Sequence, residues 1–238
     1  MNRYLLVSAV AALATAQPVQ SLTIDAAVGG GALEGPGVRY LNFNGPDLGG
    51  VGVNVVLEGF ASAVTGFDTT HAPPFISGSN HDNFDTPFVQ GLDQSQYLQS
   101  SHAALGMSPT NPVGSSITFA FSSPQDYFGL LWGSIDPYNN LAFYLGGTEL
   151  ITLSGDDVVP TADGSQLIGG TSYVNFTGIQ FDQVVIWSDN YSFELDNVAY
   201  RSAAGVPDGG MTAVLLGLSM AGLSLVHRRL AFAKLNSR

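Results

Sequence analysis

Oxygen-bearing side chains are the main chemical resource of this sequence: 19 of its 238 residues are Asp or Glu, against seven Lys or Arg. Hard cations, calcium above all, bind carboxylate, amide and backbone oxygens, and loops rich in Asp, Asn and Gly supply them. The run Asn-His-Asp-Asn-Phe-Asp at 80–85 offers Asn80, Asp82 and Asp85 as calcium ligands, although Phe84 stands where an EF-hand loop carries an oxygen. Gly155-Asp156-Asp157 with Asp163 is a second acidic group, which a solvated hairpin tip explains equally well. In Glu194-Leu195-Asp196-Asn197, Asp196 is either a calcium ligand or a carboxylate capping a β-bulge. His71, His81 and His102 are ten and twenty-one residues apart, without H-x-H or H-x-x-x-H spacing, and read as a three-histidine metal site or as solvated loop histidines.

Nucleophile chemistry finds little footing. The chain has no cysteine, which excludes thiolate catalysis and thiolate metal sites. No G-x-S-x-G occurs, and Gly217-Leu218-Ser219, the nearest approach, lies inside an apolar run. The glycine runs at 29–31 and 49–52 neither complete G-x-G-x-x-G nor open a helix. With so many carboxylates, some pair will always suit glycoside hydrolysis, so sequence does not assign that reaction. Sugar binding uses exposed rings, and Trp132, Tyr138, Tyr127 and Trp187 are the candidates. Trp132 and Trp187 sit in apolar runs and read as core or as stacking platforms. Tyr138, in the turn Asp-Pro-Tyr-Asn-Asn at 136–140, is expected at the surface. Tyr138 and Trp132 are retained as carbohydrate-contacting candidates.

Charge narrows the partners. All acidic residues but Asp208 fall within 22–205, together with only Arg39 and Arg201, so this body carries a net charge of about −16. Phosphate neutralisation needs a basic face, so nucleic acid is excluded as a partner. An anionic polymer would need bridging divalent cations.

The elements that must position these side chains are strands. Leu22–Val28, Val38–Asn44 and Val51–Leu57 are short and bounded by Gly or Pro. Segments 115–121 and 126–134 read as an alternating strand followed by a denser buried one. Segment 141–153 reads as a hairpin about Gly146-Gly147, and 181–189 with 191–200 as a final pair about Asp189-Asn190. Asp196-Asn197 breaks the alternation and marks a bulge. Residues 66–112 read as long polar loops with one short helix near 98–106. The expected fold class is all-β, with residues 22–205 forming a jelly-roll-like β-sandwich.

Both ends read as processing signals. Arg3, the apolar run 4–14 and Ala14-Thr15-Ala16 form a signal peptide over 1–16, for cleavage by signal peptidase. At the other end, Val206-Pro207-Asp208-Gly209-Gly210 breaks the chain before an apolar run at 211–226, and Arg228 and Arg229 open a basic tail over 227–238. Sixteen helical residues span roughly 24 Å, enough for a transmembrane helix with snorkelling arginines. The basic tail is expected to stay cytoplasmic, which leaves the body outside.

The order of Val206, Pro207, Asp208, Gly209, Gly210, a short apolar helix and Arg228-Arg229 resembles the PEP-CTERM class of bacterial sorting signals, in its Val-Pro-Asp-Ser-Gly variant. Gly209 departs from that variant's Ser. The resemblance implies export, transient membrane anchoring, recognition by an exosortase, and a cell-surface or matrix role alongside exopolysaccharide. Glu194–Tyr200 also resembles the last strand of carbohydrate-binding jelly rolls, which implies a structural-calcium role for Asp196. The expected function is thus a non-catalytic exported surface or matrix protein associated with polysaccharide. The alternatives are a lectin-like module with structural calcium and an exported glycan hydrolase.

Overall fold

Period-two alternation buries Ile117, Phe119 and Phe121 on one face, and the chain runs on into the dense apolar stretch Tyr127–Trp132. In the computed structural model, which describes residues 21–67, 71–80, 84, 90–101 and 115–203, these stretches form a single strand, β8 (Ser116–Gly133). The other strands are β1 (Thr23–Ala27), β2 (Val38–Leu41), β3 (Val53–Glu58), β4 (Ser62–Thr65), β5 (Phe75–Ile76), β6 (Gly91–Leu92) and β7 (Gln96–Ser100). They are followed by β9 (Asn139–Leu145), β10 (Thr148–Ser154), β11 (Ser172–Ser188) and β12 (Phe193–Ser202), with a single helical turn, α1 (Gly155–Val158), after β10. The expected signal peptide at 1–16, the motif at 206–210, the apolar run 211–226, Arg228 and Arg229 lie outside the described residues. No helix among the described residues is long and apolar enough to cross a membrane.

Among the described residues, ten strands make one hydrogen-bonded sheet and β5 and β6 a separate pair. The large sheet folds over on its two longest members. β8 and β11 run antiparallel, and their register shifts between Thr177↔Tyr127, Phe181↔Gln125 and Gln183↔Ala120. Pro124, which has no N–H to give a ladder, stands exposed at this irregularity. Before the bend β8 also pairs with β3; beyond it, with β12. β11 correspondingly pairs with β1 in its first half and with β9 in its second. The two halves face each other across one core. Phe143 of β9 meets Phe128 of β8 at 6.3 Å and Phe176 of β11 at 5.2 Å between ring centroids. Each fully buried ring of this kind is worth on the order of 2–3 kcal/mol. With no disulfide, this aromatic packing holds the layers together.

The all-β expectation and the two-layer arrangement agree with the structure. The 141–153 hairpin forms as expected, with Gly146 and Gly147 at φ 57° and 78°, the left-handed pair that a tight primed turn requires. The bulge forms too: the β12–β8 register shifts between Asp196 and Ala199, and Asn197 has φ 48°. Three expectations need correction. Segments 115–121 and 126–134 are one bent strand. The final pair is no hairpin, because β8 lies between β11 and β12 in the sheet. The expected helix near 98–106 begins inside β7, where Tyr97, Leu98 and Gln99 are buried and paired with β4 and β12.

Candidate functional site

Two turns meet to build a cleft. The β8–β9 turn carries Ser134, Asp136 and Tyr138, and the β11–β12 turn carries Tyr191 and leads into Glu194. The fully buried Asn139 ties them together. Its Oδ1 accepts from the Asp136 amide at 3.0 Å and from Trp132 Nε1 at 3.4 Å, while its Nδ2 donates to Ser188 Oγ at 3.2 Å and to the Ser192 carbonyl at 3.3 Å. The Asp189 amide donates to the Tyr138 carbonyl at 3.0 Å. The cleft between the turns has a volume of about 390 Å³, within the range of small-ligand sites, roughly 300–1,000 Å³.

Its chemistry is aromatic at the rim and acidic within. Tyr191 is 67% exposed, and its ring lies 6.4 Å from that of the half-buried Tyr138 at an angle of 55°. Phe67 and His71 contribute from the β4 side, and Asp163 and Gly164 from the loop after α1. Gly164 (φ +63°) is required here: a Cβ would lie 2.2 Å from Asp136 Oδ1. Burial raises Asp136 above the ordinary carboxylate value, and the Asp163 charge adds to this, while hydrogen bonding to Tyr138 opposes it. Burial, then the hydrogen bond to Asp136, raise the Tyr138 phenol. At the back lies Glu194, 3% exposed, pushed up to about 8 by burial, with the Asp136 charge adding to this and hydrogen bonds opposing it. Its Oε2 accepts from Ser134 Oγ at 2.7 Å and its Oε1 from the Ala72 amide at 3.3 Å. Ser134 holds a left-handed backbone, φ 39°, unusual for a residue with a side chain.

A second acidic feature sits on the same strand, inside the protein. Asp196 is fully buried and Asp93, just after β6, is 1% exposed. Ser95 bridges them: its Oγ lies 2.5 Å from Asp93 Oδ1 and 3.3 Å from Asp196 Oδ2, and its amide donates to Asp93 Oδ1 at 2.8 Å. Burial raises Asp196 well above the ordinary carboxylate value, and the adjoining Asp93 raises it further. Among the described residues, no three His, Asp or Glu side chains gather into one metal site.

Sequence-predicted residues fare unevenly. Tyr138, expected at the surface, is half-buried and lines the cleft. Trp132 is corrected: it is fully buried, stacked on Phe193 at 4.3 Å and 19°, and so has no face for a sugar. Asp196 does sit in the β12 bulge. Asn80 is buried, but its side chain is spent on its own loop, accepting from the Ser77 amide at 3.0 Å and donating to the Phe75 carbonyl at 3.5 Å. Asp82, Asp85, His81 and His102 lie outside the described residues. The 155–157 group is a capped helical turn and not a hairpin tip: the Ser154 amide and hydroxyl donate to Asp157 Oδ2 at 2.8 and 2.7 Å, which lowers its pKa. Its former companion Asp163 faces the cleft. Asp93, Asp136, Asn139, Tyr191 and Glu194 were not singled out, because each becomes notable only through partners far away in sequence.

No family model matches the chain, and no curated protein does. Among solved structures, it is similar to the catalytic unit of a thermostable GH87 alpha-1,3-glucanase from Streptomyces thermodiastaticus strain HF3-3, at 14% identity and a TM-score of 0.29, over 66% of this chain and 28% of that one. The chain thus spans just over a quarter of that catalytic unit. It is also similar to CBM32-3 from a family 31 glycoside hydrolase of Clostridium perfringens, at 14% identity and a TM-score of 0.28, over 61% of this chain and 91% of that one. Likenesses this slight decide neither the fold nor the function.

Proposed function

We propose that this chain is an exported, exosortase-sorted surface or matrix protein whose jelly-roll-like body binds uncharged polysaccharide without turning it over. The observation that carries the reading is the Tyr138–Tyr191 ring pair beside the Asp136 and Asp163 carboxylates in one open cleft. Sugar rings offer apolar C–H faces to aromatic platforms and hydroxyl donors to carboxylates, and this cleft has both partners. Among the described residues no Lys or Arg lines it, so an anionic glycan would meet repulsion. Glu194 is buried and held from within by Ser134 and the Ala72 amide, which makes it a wall of the site. The motif at 206–210 and the run 1–16 support the export and sorting part of the reading.

One observation favours a second reading, an exported glycan hydrolase: three carboxylates, Asp136, Asp163 and Glu194, share the cleft. A single experiment separates the two. The purified chain is titrated against neutral and anionic polysaccharides, with and without chelator, beside a screen for released sugars. Binding of neutral glycan without turnover, weakened about 2- to 12-fold by Tyr191→Ala, is the expected result, since such ring contacts are worth about 0.5–1.5 kcal/mol. Turnover abolished by Asp136→Asn would establish the hydrolase instead.

A further inference from the structure

One edge of the sheet lacks the usual guards. β3 hydrogen-bonds only to β8, so among the described residues its other edge has no strand beside it. The turn before β3 shows which backbone groups face that edge. Val53 exchanges both backbone bonds with Gly50, each at 3.1 Å, so its N–H and C=O point away from β8. Hydrogen-bonding groups alternate sides along an antiparallel strand, so Val55 and Leu57 also present N–H and C=O outward. Exposed edges are commonly blunted by bulges, charges or shortness. The other edge strands carry such devices: β10 has a register shift between Glu149 and Ile151, β1 carries Asp25, β2 carries Arg39, and β4 has four residues. β3 keeps one register throughout, and its one charge, Glu58, is its last residue.

The side chains along this edge are apolar where solvent would favour charge. Val55 and Leu57 turn inward and pack against the main core, while Asn54, Val56 and Glu58 form the outer face. Val56, in the middle, is 38% exposed. Val51, in the turn before the strand, is 72% exposed, and Phe60, in the turn after it, is 40% exposed. Large exposed apolar side chains thus mark the centre and both ends of one short edge. The body around them is strongly acidic, so approach of a second copy is costly at most surfaces, but this edge offers a single carboxylate.

We infer that β3 is a self-association surface, on which a second copy of this chain lays its own β3 antiparallel about a two-fold axis at Val56. The register follows from the groups that are free. Val55 and Leu57 have outward groups left, whereas those of Val53 are taken by Gly50. An axis at Val56 sets Val55 against Leu57 of the other copy, and the reverse, each pair exchanging both backbone bonds. An axis at Val55 would set Leu57 against Val53, whose groups are taken. The Val56 axis also sets Val56 opposite its own copy in a non-hydrogen-bonded pair, where side chains approach most closely. Asn54 then faces Glu58 of the other copy, an amide donor against a carboxylate, so the two acids never meet. Val51 of one copy and Phe60 of the other come to the same end of the ladder. The pairing joins the β3–β8–β11–β9–β10 layers of two molecules into one sheet. It is separate from glycan binding, and either can fail without the other.

The test uses the full chain in mild detergent, which screens contacts made through apolar segments. Light scattering should give twice the mass of one chain. Val56→Lys sets two like charges at the axis and should return the mass to that of one chain, with the circular-dichroism spectrum unchanged because Val56 lies on the outer face. The chain has no cysteine, so single introduced thiols report the register. Cα atoms of a non-hydrogen-bonded pair lie about 4.5 Å apart, within the roughly 4.4–6.8 Å that a disulfide bridges. Val56→Cys should therefore give a covalent dimer under a mild oxidant, which takes up the two electrons and two protons the thiols lose. Asn54→Cys alone should not, because its two copies stand roughly 13 Å apart along the strands, whereas Asn54→Cys mixed with Glu58→Cys should. A parent with the mass of one chain, a dimer that survives Val56→Lys, or Val56→Cys cross-linking no better than Asn54→Cys would overturn the surface.

Discussion

Replacing Glu194 by Gln isolates the cost of placing a carboxyl at the back of the cleft. Gln keeps the shape and can keep both contacts, accepting from the Ala72 amide while Ser134 Oγ turns to accept from the new amide group. It cannot ionise. Glu194 titrates at about 8 in the folded chain and near 4.5 when unfolded. Between those values the folded protein holds a proton that the unfolded chain has released. Stability must therefore fall as pH rises through this window, by about 1.4 kcal/mol per pH unit. Over the whole window the loss is at most about 5 kcal/mol, complete above pH ~8. Glu194→Gln should match the parent at about pH 5 and surpass it progressively toward about pH 9, with a melting-temperature gap reaching about 10–20 °C for a body of this size. Thermal unfolding followed by circular dichroism, in chelator, measures it. Comparing the two chains at each pH cancels the titration of every group they share. A gap that stays constant with pH would show that Glu194 ionises alike in both states, and would refute the reasoning.

Two further outcomes are expected. Tyr127 Oη accepts from the Leu33 amide at 2.9 Å and donates to Asn175 Oδ1 at 2.8 Å, so Tyr127→Phe strands two polar groups without opening a cavity; it should cost about 2–3 kcal/mol, seen as a drop in melting temperature of about 5–10 °C. Intact-mass measurement on protein from the native host should show a chain starting near Gln17 and cut near 207–210, and retention of residues 1–16 would refute export.

What was legible in the sequence follows from the range of the signal. Short runs bounded by Gly or Pro announced β1, β2 and β3, and a glycine pair announced the β9–β10 hairpin, because these are local facts. The phase break at Asp196-Asn197 was local too, and the bulge is there. The β8 bend was missed because Ser122-Ser123-Pro124 reads as a turn, whereas the chain keeps its β pairing through it with an altered register. The β11–β12 pairing failed because β8 comes between them, and nothing in either segment records that. Trp132 was ambiguous for the same reason: an apolar run places a ring on a strand but does not say what covers it, and here it is Phe193. The cleft draws on four separated segments, so only Tyr138, in an evident turn, could be singled out beforehand.

β12 concentrates what packing alone does not explain. Within three residues it holds two carboxylates almost sealed from water, Glu194 and Asp196, in a body of 22–205 with only two basic residues. Each is accompanied by a non-glycine residue in the left-handed region, Ser134 hydrogen-bonded to Glu194 and Asn197 following Asp196. Such backbone costs on the order of 1–3 kcal/mol per residue, and a buried unpaired carboxylate costs more. A strand needed only to close the sheet would carry Val or Ile at these positions, as the core face of β8 carries Ile117 and Phe119. The aromatic interior of this disulfide-free chain offsets those costs, since its rings pack along β12 in the main core, Trp132 against Phe193 and Phe121 against Tyr200. Stability gathered in the core thus offsets costs along one strand, where one carboxyl walls a cleft and the other is sealed against Ser95 and Asp93.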